Sequence, residues 1–560
     1  MHSSAPSSFT TTPNDCSIAR RPLRPSFSAF RFTAGLVTSF SLMGLASCAG
    51  TGIGKPARPL QPLTLTAEDI TANLAYAEGQ LLKTENRLEE TAHPRFTPTD
   101  YQGGQWLTID TKDWRAGFFN GSEWMMFEVF GDNANGWRQK AEARTRAFSA
   151  EMSRPQSHDI GFKAINTYGQ ALRLTGLEEF KPKIFEAANT LGNRFMPEHG
   201  VTRSWEDGNG DIRVIIDNMM NLEVFFLAAD LTTNTEDRDR WLKMAVSHAV
   251  TTEKNHIRDS SDPNVDGSTC HVYFYNRGVC KTHQGIADDS TWTRGQAWAM
   301  YGFAMAYRFA KKWPQYAKEA ELFLATSQRT SDLYLRRLAE PRNGDWIPLH
   351  DFDAAEGAPK DTSAAALAAA ALIELSTLDK VPAEKRQRYK VAAESMLATL
   401  SRPSGAKPYR TTASPTDLQQ ESILLRATTS FATAGGGKKD IERGLSYADY
   451  YFLEALLRFQ DVYGGKPRAP SFVKSVKAPQ GQAVDVTWTE TRGAALYTVK
   501  RAATAAGPFE IVGTTTEAKF TDTSAPAGQV LHYVVTATNH VKAESVASLV
   551  TSPTAVASAP

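Results

Sequence analysis

The sequence predicts a mainly α protein, an (α/α)6 toroid followed by a small all-β sandwich. Three observations predict it. First, from about residue 67 to 463, apolar residues recur at helical spacing through twelve segments, which start near 67, 116, 133, 159, 178, 215, 237, 292, 314, 361, 383 and 442. Second, every even-numbered segment opens on a polar-aromatic cluster, while the odd ones carry amphipathic patterns rich in Lys, Glu and Arg. That alternation reads as six inner helices ringed by six outer ones. Third, beyond a Gly- and Pro-rich linker at 464–470, the period shortens from about 3.6 residues to about 2.

In chain order, residues 1–47 read as a lipoprotein signal peptide. Arg20, Arg21, Arg24 and Arg31 precede an apolar stretch at 32–46. The stretch is too short for a membrane span. It ends in Leu45-Ala46-Ser47-Cys48, which resembles the lipobox of bacterial lipoproteins. The resemblance implies a lipid on the Cys48 thiol and processing to make Cys48 the first residue. The expected location is the bacterial cell envelope, at the outer membrane facing the periplasm or the surface, with membrane contact only through the lipid. Residues 48–66, rich in Gly, Pro and Thr, read as a flexible tether. Cys16 lies in the leader, so Cys270 and Cys280 remain. Export permits a disulfide between them, pinning the short loop they bracket; two free thiols are the alternative.

The helical domain is expected to span 67–463. Its inner helices open on Gly117 to Trp124, His158-Asp159-Ile160-Gly161-Phe162, Ile216-Asp217-Asn218-Met219-Met220-Asn221, Trp292-Thr293-Arg294-Gly295-Gln296-Ala297-Trp298, Asp361 to Ala365, and Tyr447 to Tyr451. An inner helix must be apolar or small nearly all round, as 364–371 is. Functional residues then gather at the mouth, where these helices begin. The sandwich is expected at 471–550, with 551–560 as a loose tail. Its strands alternate through 484–488, 497–500 and 533–537. Trp488, Tyr497, the Phe520-Thr521-Asp522-Thr523 run and Tyr533 stand where they do in fibronectin type III domains, which this segment resembles.

Composition excludes several chemistries. Lys plus Arg number 62 against 61 Asp plus Glu, so there is no global field for nucleic acid. No HExxH, paired-Cys zinc spacing or GxGxxG after a strand occurs, and no metal or cofactor is expected. What remains is a set of carboxylates among aromatic residues: Asp159, Asp217, Asp288, Asp289, Asp361 and Asp449. Asp is also a preferred N-cap, the reading that suits Asp361 and Asp289 better. Asp217 stands between Val214-Ile215-Ile216 and Met219-Met220. Apolar walls raise a carboxyl pKa and suit a general acid. Arg294, between Trp292 and Trp298, is a poor fit to a dry core and suggests a polar cavity.

The three motifs at 158–162, 216–221 and 283–298 resemble those of the unsaturated glucuronyl hydrolases, glycoside hydrolase family 88, and the resemblance covers roughly 67–463. It implies an (α/α)6 barrel and no metal. It also implies removal of the non-reducing terminal 4,5-unsaturated uronic acid from oligosaccharides made by polysaccharide lyases, through hydration of the C4=C5 vinyl ether. Residue by residue, Asp217 matches the general acid/base and Asp159 the second essential aspartate. His271, Gln284, Trp292, Arg294 and Trp298 match the sugar-binding set, with Gln284 and Arg294 facing the substrate carboxylate. Trp124 and Trp205 are further members, and Lys438 or Lys439 is expected to meet a sulfate or carboxylate on the next sugar. Two other readings stand beside this one: an unsaturated rhamnogalacturonyl hydrolase on pectin fragments, and a non-catalytic glycan-binding lipoprotein. The β-domain reads as a spacer or as a polysaccharide-docking module.

Overall fold

The computed structural model describes residues 60–98, 104–131, 134–206, 208–403, 407–412, 420–432, 437–478 and 483–556. Twelve helical segments fill the first part. They are α1 (Ala67–Glu85), α2 (Ala116–Phe130), α3 (Trp137–Ala147), α4 (160–175, with a π-helical turn at Ile165–Gly169), α5 (Lys181–Gly192) and α6 (218–231, in two stretches). Then come α7 (Thr235–His256), α8 (Thr293–Ala310), α9 (Ala317–Leu338), α10 (Thr362–Ser376), α11 (Ala383–Ser401) and α12 (Ser446–Tyr463). The even helices pack in sequence, and α12 closes the ring on α2. The odd helices lie outside them.

Local chemistry sets the helix ends. Thr66 and Asp69 form a reciprocal capping box that starts α1, and Asn234 accepts the Glu236 and Asp237 amides at the start of α7. The inner helices have no wet face. In α8 every residue but Arg308 is buried, and α10 is a nearly continuous buried Ala run. Close approach demands small residues at specific points. A Cβ on Gly161 would stand 2.5 Å from the Asn221 backbone, and one on Gly302 2.5 Å from Met219 Cβ. Any larger side chain there would push α4 from α6, or α6 from α8.

The C-terminal part is a sandwich of two antiparallel sheets. One joins Ser471–Lys477, Val484–Thr489 and Lys519–Asp522; the other joins Glu510–Thr515, Ala494–Ala502, Val530–Asn539 and Thr554–Ala555. Alternate residues point inward, so Val484, Val486, Trp488, Val499, Tyr533 and Val535 make a separate core. The expected loose tail is corrected over 551–556. Thr554 and Ala555 pair with Leu531 and Val530, and Val556 is buried in the sandwich core. These residues cover an edge of the sheet.

The sandwich is fastened to the C-terminal ends of the inner helices, opposite the mouth. Arg492 reaches Glu128 at the end of α2 at 2.8 Å and Asp461 near the end of α12 at 2.7 Å, and Arg468 of the linker pairs with both. Burial pushes Glu128 up, but Arg173, Arg492 and Arg468 outweigh it and hold the carboxyl well below its usual range. The expected tether is also corrected at its end. Leu63 N–H donates to Ser395 Oγ at 2.9 Å, Trp346 Nε1 to the Gln61 carbonyl at 2.9 Å, and Leu65 is buried. The signal peptide and Cys48 lie outside the described residues. Among the described residues no helix is long and apolar enough to cross a membrane.

Candidate active site

Two turns at the mouth bring the aspartates forward: His158-Asp159 leads into α4, and Asp217 leads into α6. A short antiparallel ladder places His271. Arg213–Ile215 pairs with Val272–Phe274, and the next rung is Ile216 N–H to the His271 carbonyl at 2.9 Å. Asp217 and His271 therefore emerge side by side, with His271 Nε2 3.5 Å from Asp217 Oδ2. His158 Nε2 lies 3.4 Å from Asp159 Oδ1. Ser204 clips the two turns together: its carbonyl accepts the His158 amide at 3.1 Å, and its hydroxyl accepts the Ile215 amide at 3.0 Å. Asn221 adds a second clip by accepting the Phe162 amide at 2.8 Å. Ser157 Oγ bonds to Asp159 Oδ2.

The electrostatics overturn one expectation. Burial does push Asp217 up, but His271 first, then His158 and Arg294, outweigh it and hold the carboxyl below its ordinary value. Apolar walls alone do not decide the proton when three potential cations face the same group. Burial conversely lowers His158, against the charges of Asp159 and Asp217.

The third motif forms the adjacent wall. Trp292 caps α8, and its ring lies 4.4 Å from that of His271. Arg294 sits over Trp292 at 4.6 Å and Tyr447 at 5.1 Å. Its guanidinium is engaged within the protein, by Asp361, by Ser363 Oγ at 3.1 Å, and by the carbonyls of Thr428 and Thr429, both at 2.8 Å. It therefore braces the 428–429 loop against α10 instead of presenting a fork to a ligand, which corrects its expected role. Asp361 does cap α10, accepting the Ser363 amide at 3.1 Å, as its capping reading had it.

Gln284 is half-buried. Its carbonyl meets His350 Nε2 at 2.9 Å and the Phe431 amide at 3.3 Å, so it joins the Ser430–Phe431 strand to this wall. Lys438 is exposed on the strand paired with Ser430–Phe431, with Nζ 4.5 Å from the Phe431 ring. Trp205 is half-buried at the rim, beneath Arg213 at 4.7 Å and beside His158 at 5.5 Å.

Two indoles are corrected. Trp298 is fully buried, one and a half turns into α8, packed at 5.4 Å on both Phe162 and Tyr451. Trp124 is fully buried between α2 and α3, bonded to Thr145 Oγ1 at 2.9 Å. Both are core, because aromatic bulk fills the space between helices as readily as it stacks on a sugar. Asp288 and Asp289 are exposed on their loop, and neither opens α8. Asp449 accepts the Ile423 and Leu424 amides at 2.8 Å each and fixes that loop; burial pushes its carboxyl up to about 7.

Sequence reasoning missed Ser204 and His158 as site members. His158 stood within a quoted motif, but Ser204 carried no signal beyond its place beside Trp205. Among the described residues no His, Cys, Asp and Glu group is arranged to hold a metal ion.

Cys270 and Cys280 form a disulfide across the hairpin that carries His271. The bridge closes a short loop, so the Cys270→Ser/Cys280→Ser double variant is expected to lose about 2–3 kcal/mol of stability. It is also expected to turn over more slowly, because His271 adjoins the bridge. Melting curves and rates before and after thiol reduction check this.

A closed ring of six inner helices, with paired aspartates, imidazoles and an indole at its mouth, defines an (α/α)6 glycoside hydrolase. No protein-family model matches the chain. An unsaturated glucuronyl hydrolase of Formosa agariphila is 34% identical over 371 residues, covering 63% of this chain and 82% of that protein. An unsaturated glucuronyl hydrolase of Bacillus sp. is 30% identical, covering 65% and 91%. Among solved structures, an unsaturated glucuronyl hydrolase specific for heparin is 31% identical, with a TM-score of 0.59, covering 70% of this chain and 97% of that one. The chain belongs to the unsaturated glucuronyl hydrolase family.

Proposed function

We propose that this protein removes the terminal 4,5-unsaturated uronic acid from lyase-made oligosaccharides, with Asp217 as general acid/base. The observation that carries the reading is the pair at the mouth. Asp217 Oδ2 and His271 Nε2 face each other at 3.5 Å, both are buried, and among the described residues neither makes a closer bond.

In the proposed reaction, protonated Asp217 delivers its proton to C4. Positive charge develops at C5 and on the ring oxygen. Water then adds at C5 while Asp217 takes a proton from it. The resulting hemiketal opens and releases the rest of the oligosaccharide, and Asp217 is left protonated again. Asp159 holds ring hydroxyls, His271 and Gln284 meet the uronate, and Trp292 and Trp205 wall the ring. Lys438, exposed beside Phe431, is the residue proposed to meet a sulfate or carboxylate on the next sugar. Arg294 contributes its positive charge from behind Trp292.

The relatives direct the choice of first substrates. One from Streptococcus pyogenes, 29% identical, is named an unsaturated chondroitin disaccharide hydrolase. We further propose export as a lipoprotein on Cys48, held at the cell envelope, where a lyase supplies the substrate. The test is ultraviolet absorbance of the conjugated C4=C5 carboxylate, followed with protein lacking residues 1–48. Loss of absorbance on chondroitin-, heparin- or other uronate-derived disaccharides is expected. No loss on any of them would turn the reading toward pectin fragments or toward binding alone.

A further inference from the structure

Behind the Asp217–His271 pair lies a stripe of polar side chains that the proposed chemistry does not use. His248, Thr252 and His256 recur every fourth residue of α7, so they share one face, and each is fully buried. His248 Nδ1 accepts the Thr202 amide at 2.9 Å, which puts the proton of a neutral ring on Nε2. His256 is the opposite tautomer: its Nδ1 faces the Cys270 carbonyl at 3.0 Å, so Nδ1 carries the proton and Nε2 is a lone pair. Burial holds both rings below the usual histidine range, His256 at about 4, so both are neutral at neutral pH.

Among the described residues neither Nε2 atom has a partner, nor do the hydroxyls of Thr202, Thr252 and Thr269. Thr252 differs from six other helical threonines. Thr71, Thr84, Thr167, Thr175, Thr326 and Thr399 all give their hydroxyl to the carbonyl four residues back. Thr252 forgoes that bond.

These groups close a circuit with the site. Asn218, next to Asp217, donates to the Thr202 carbonyl at 2.6 Å, and the Thr202 amide rests on His248. From the other end of the stripe, the Cys270 amide donates to the His256 carbonyl at 2.7 Å, and the residue after Cys270 is His271. One helix face thus carries a ring N–H donor, a ring acceptor and a hydroxyl, with the Thr202 and Thr269 hydroxyls on the segments bonded at its two ends. A lone unpaired polar group is costly; a cluster of matched donors and acceptors is what internal water requires.

We propose that this stripe is a water-binding site. His248 Nε2, Thr252 Oγ1 and His256 Nε2 hold ordered water behind Asp217, and that water positions Asn218 and His271. The positioning role rests on Asp217 being the acid/base; the water site does not.

A crystal structure of the protein at atomic resolution is expected to show water bonded to Thr252 Oγ1 and to at least one His Nε2. A dry stripe overturns the proposal. Thr252→Val keeps the shape of the side chain and gives an independent reading. In a hydrated site it strands a water and the melting temperature falls. In a dry site it relieves an unpaired hydroxyl and the melting temperature rises, which again overturns the proposal. Turnover reports the positioning role: kcat is expected to drop about tenfold with KM held, and Thr252→Ser to restore it. Unchanged kcat in a hydrated site overturns the positioning role. Neither the density nor the melting shift depends on turnover, so a failed water site and a misassigned Asp217 give different results.

Discussion

Asp217→Asn is expected to lower kcat by about 10³-fold, the scale of losing a placed proton donor. Asparagine keeps the shape but cannot give up and retake a proton. Affinity for an unsaturated disaccharide is expected to stay within a few-fold, because His271, Trp292 and Asp159 are untouched. Absorbance for turnover and calorimetry for binding check the two halves. Full turnover by the variant would remove Asp217 from the chemistry, and loss of binding alone would make it a ligand-holding residue.

The pH profile follows from the same geometry. In the free protein His271, His158 and Arg294 outweigh burial and hold Asp217 below its ordinary value. It is therefore ionised at neutral pH, the wrong state for an acid. A uronate entering the mouth brings a like charge and excludes water, and both effects raise a carboxyl pKa. The descending limb of kcat, which reports the complex, is expected at higher pH than that of kcat/KM, which reports the free protein. Coincident limbs would mean that substrate does not move the proton onto Asp217.

The fold was legible because its signals are repetitive. Twelve helical segments, an all-round apolar Ala run at 364–371 and a change of period at the linker each state a requirement that packing then meets. The pairing of Asp159 and Asp217 at the mouth followed from where inner helices begin. The errors lay in residues whose type permits two jobs. Trp124 and Trp298 are as good at filling a barrel wall as at stacking on a sugar, and sequence spacing cannot tell which way an indole faces. Arg294, expected to line a polar cavity, is buried instead, because its charge is met 67 residues on, at Asp361, where the helix start explained the Asp fully by itself. The proton affinity of Asp217 was misjudged for a similar reason, since His271 reaches it only through the strand ladder.

The Arg294–Asp361 pair is the place where one substitution is expected to cost the most stability. Both side chains are almost wholly excluded from water, at 1% and 0% exposure. Such a pair adds little net stability over an apolar replacement, but removing one partner leaves an uncompensated buried charge and costs about 3–5 kcal/mol. Asp361→Ala strands the guanidinium and also removes the cap of α10, so the loss is expected at the upper end of that range. Replacing both, as Arg294→Met with Asp361→Ala, is expected to recover part of the loss, since no charge is then stranded. Denaturant melts of the single and double variants measure the difference. Activity should not recover with stability. Thr428 and Thr429 lose the donor that holds their loop, and Trp292 loses the guanidinium stacked on it. A double variant that melted like the parent but turned over slowly would place Arg294 as a positioning residue. One that recovered both would reduce it to a structural lock.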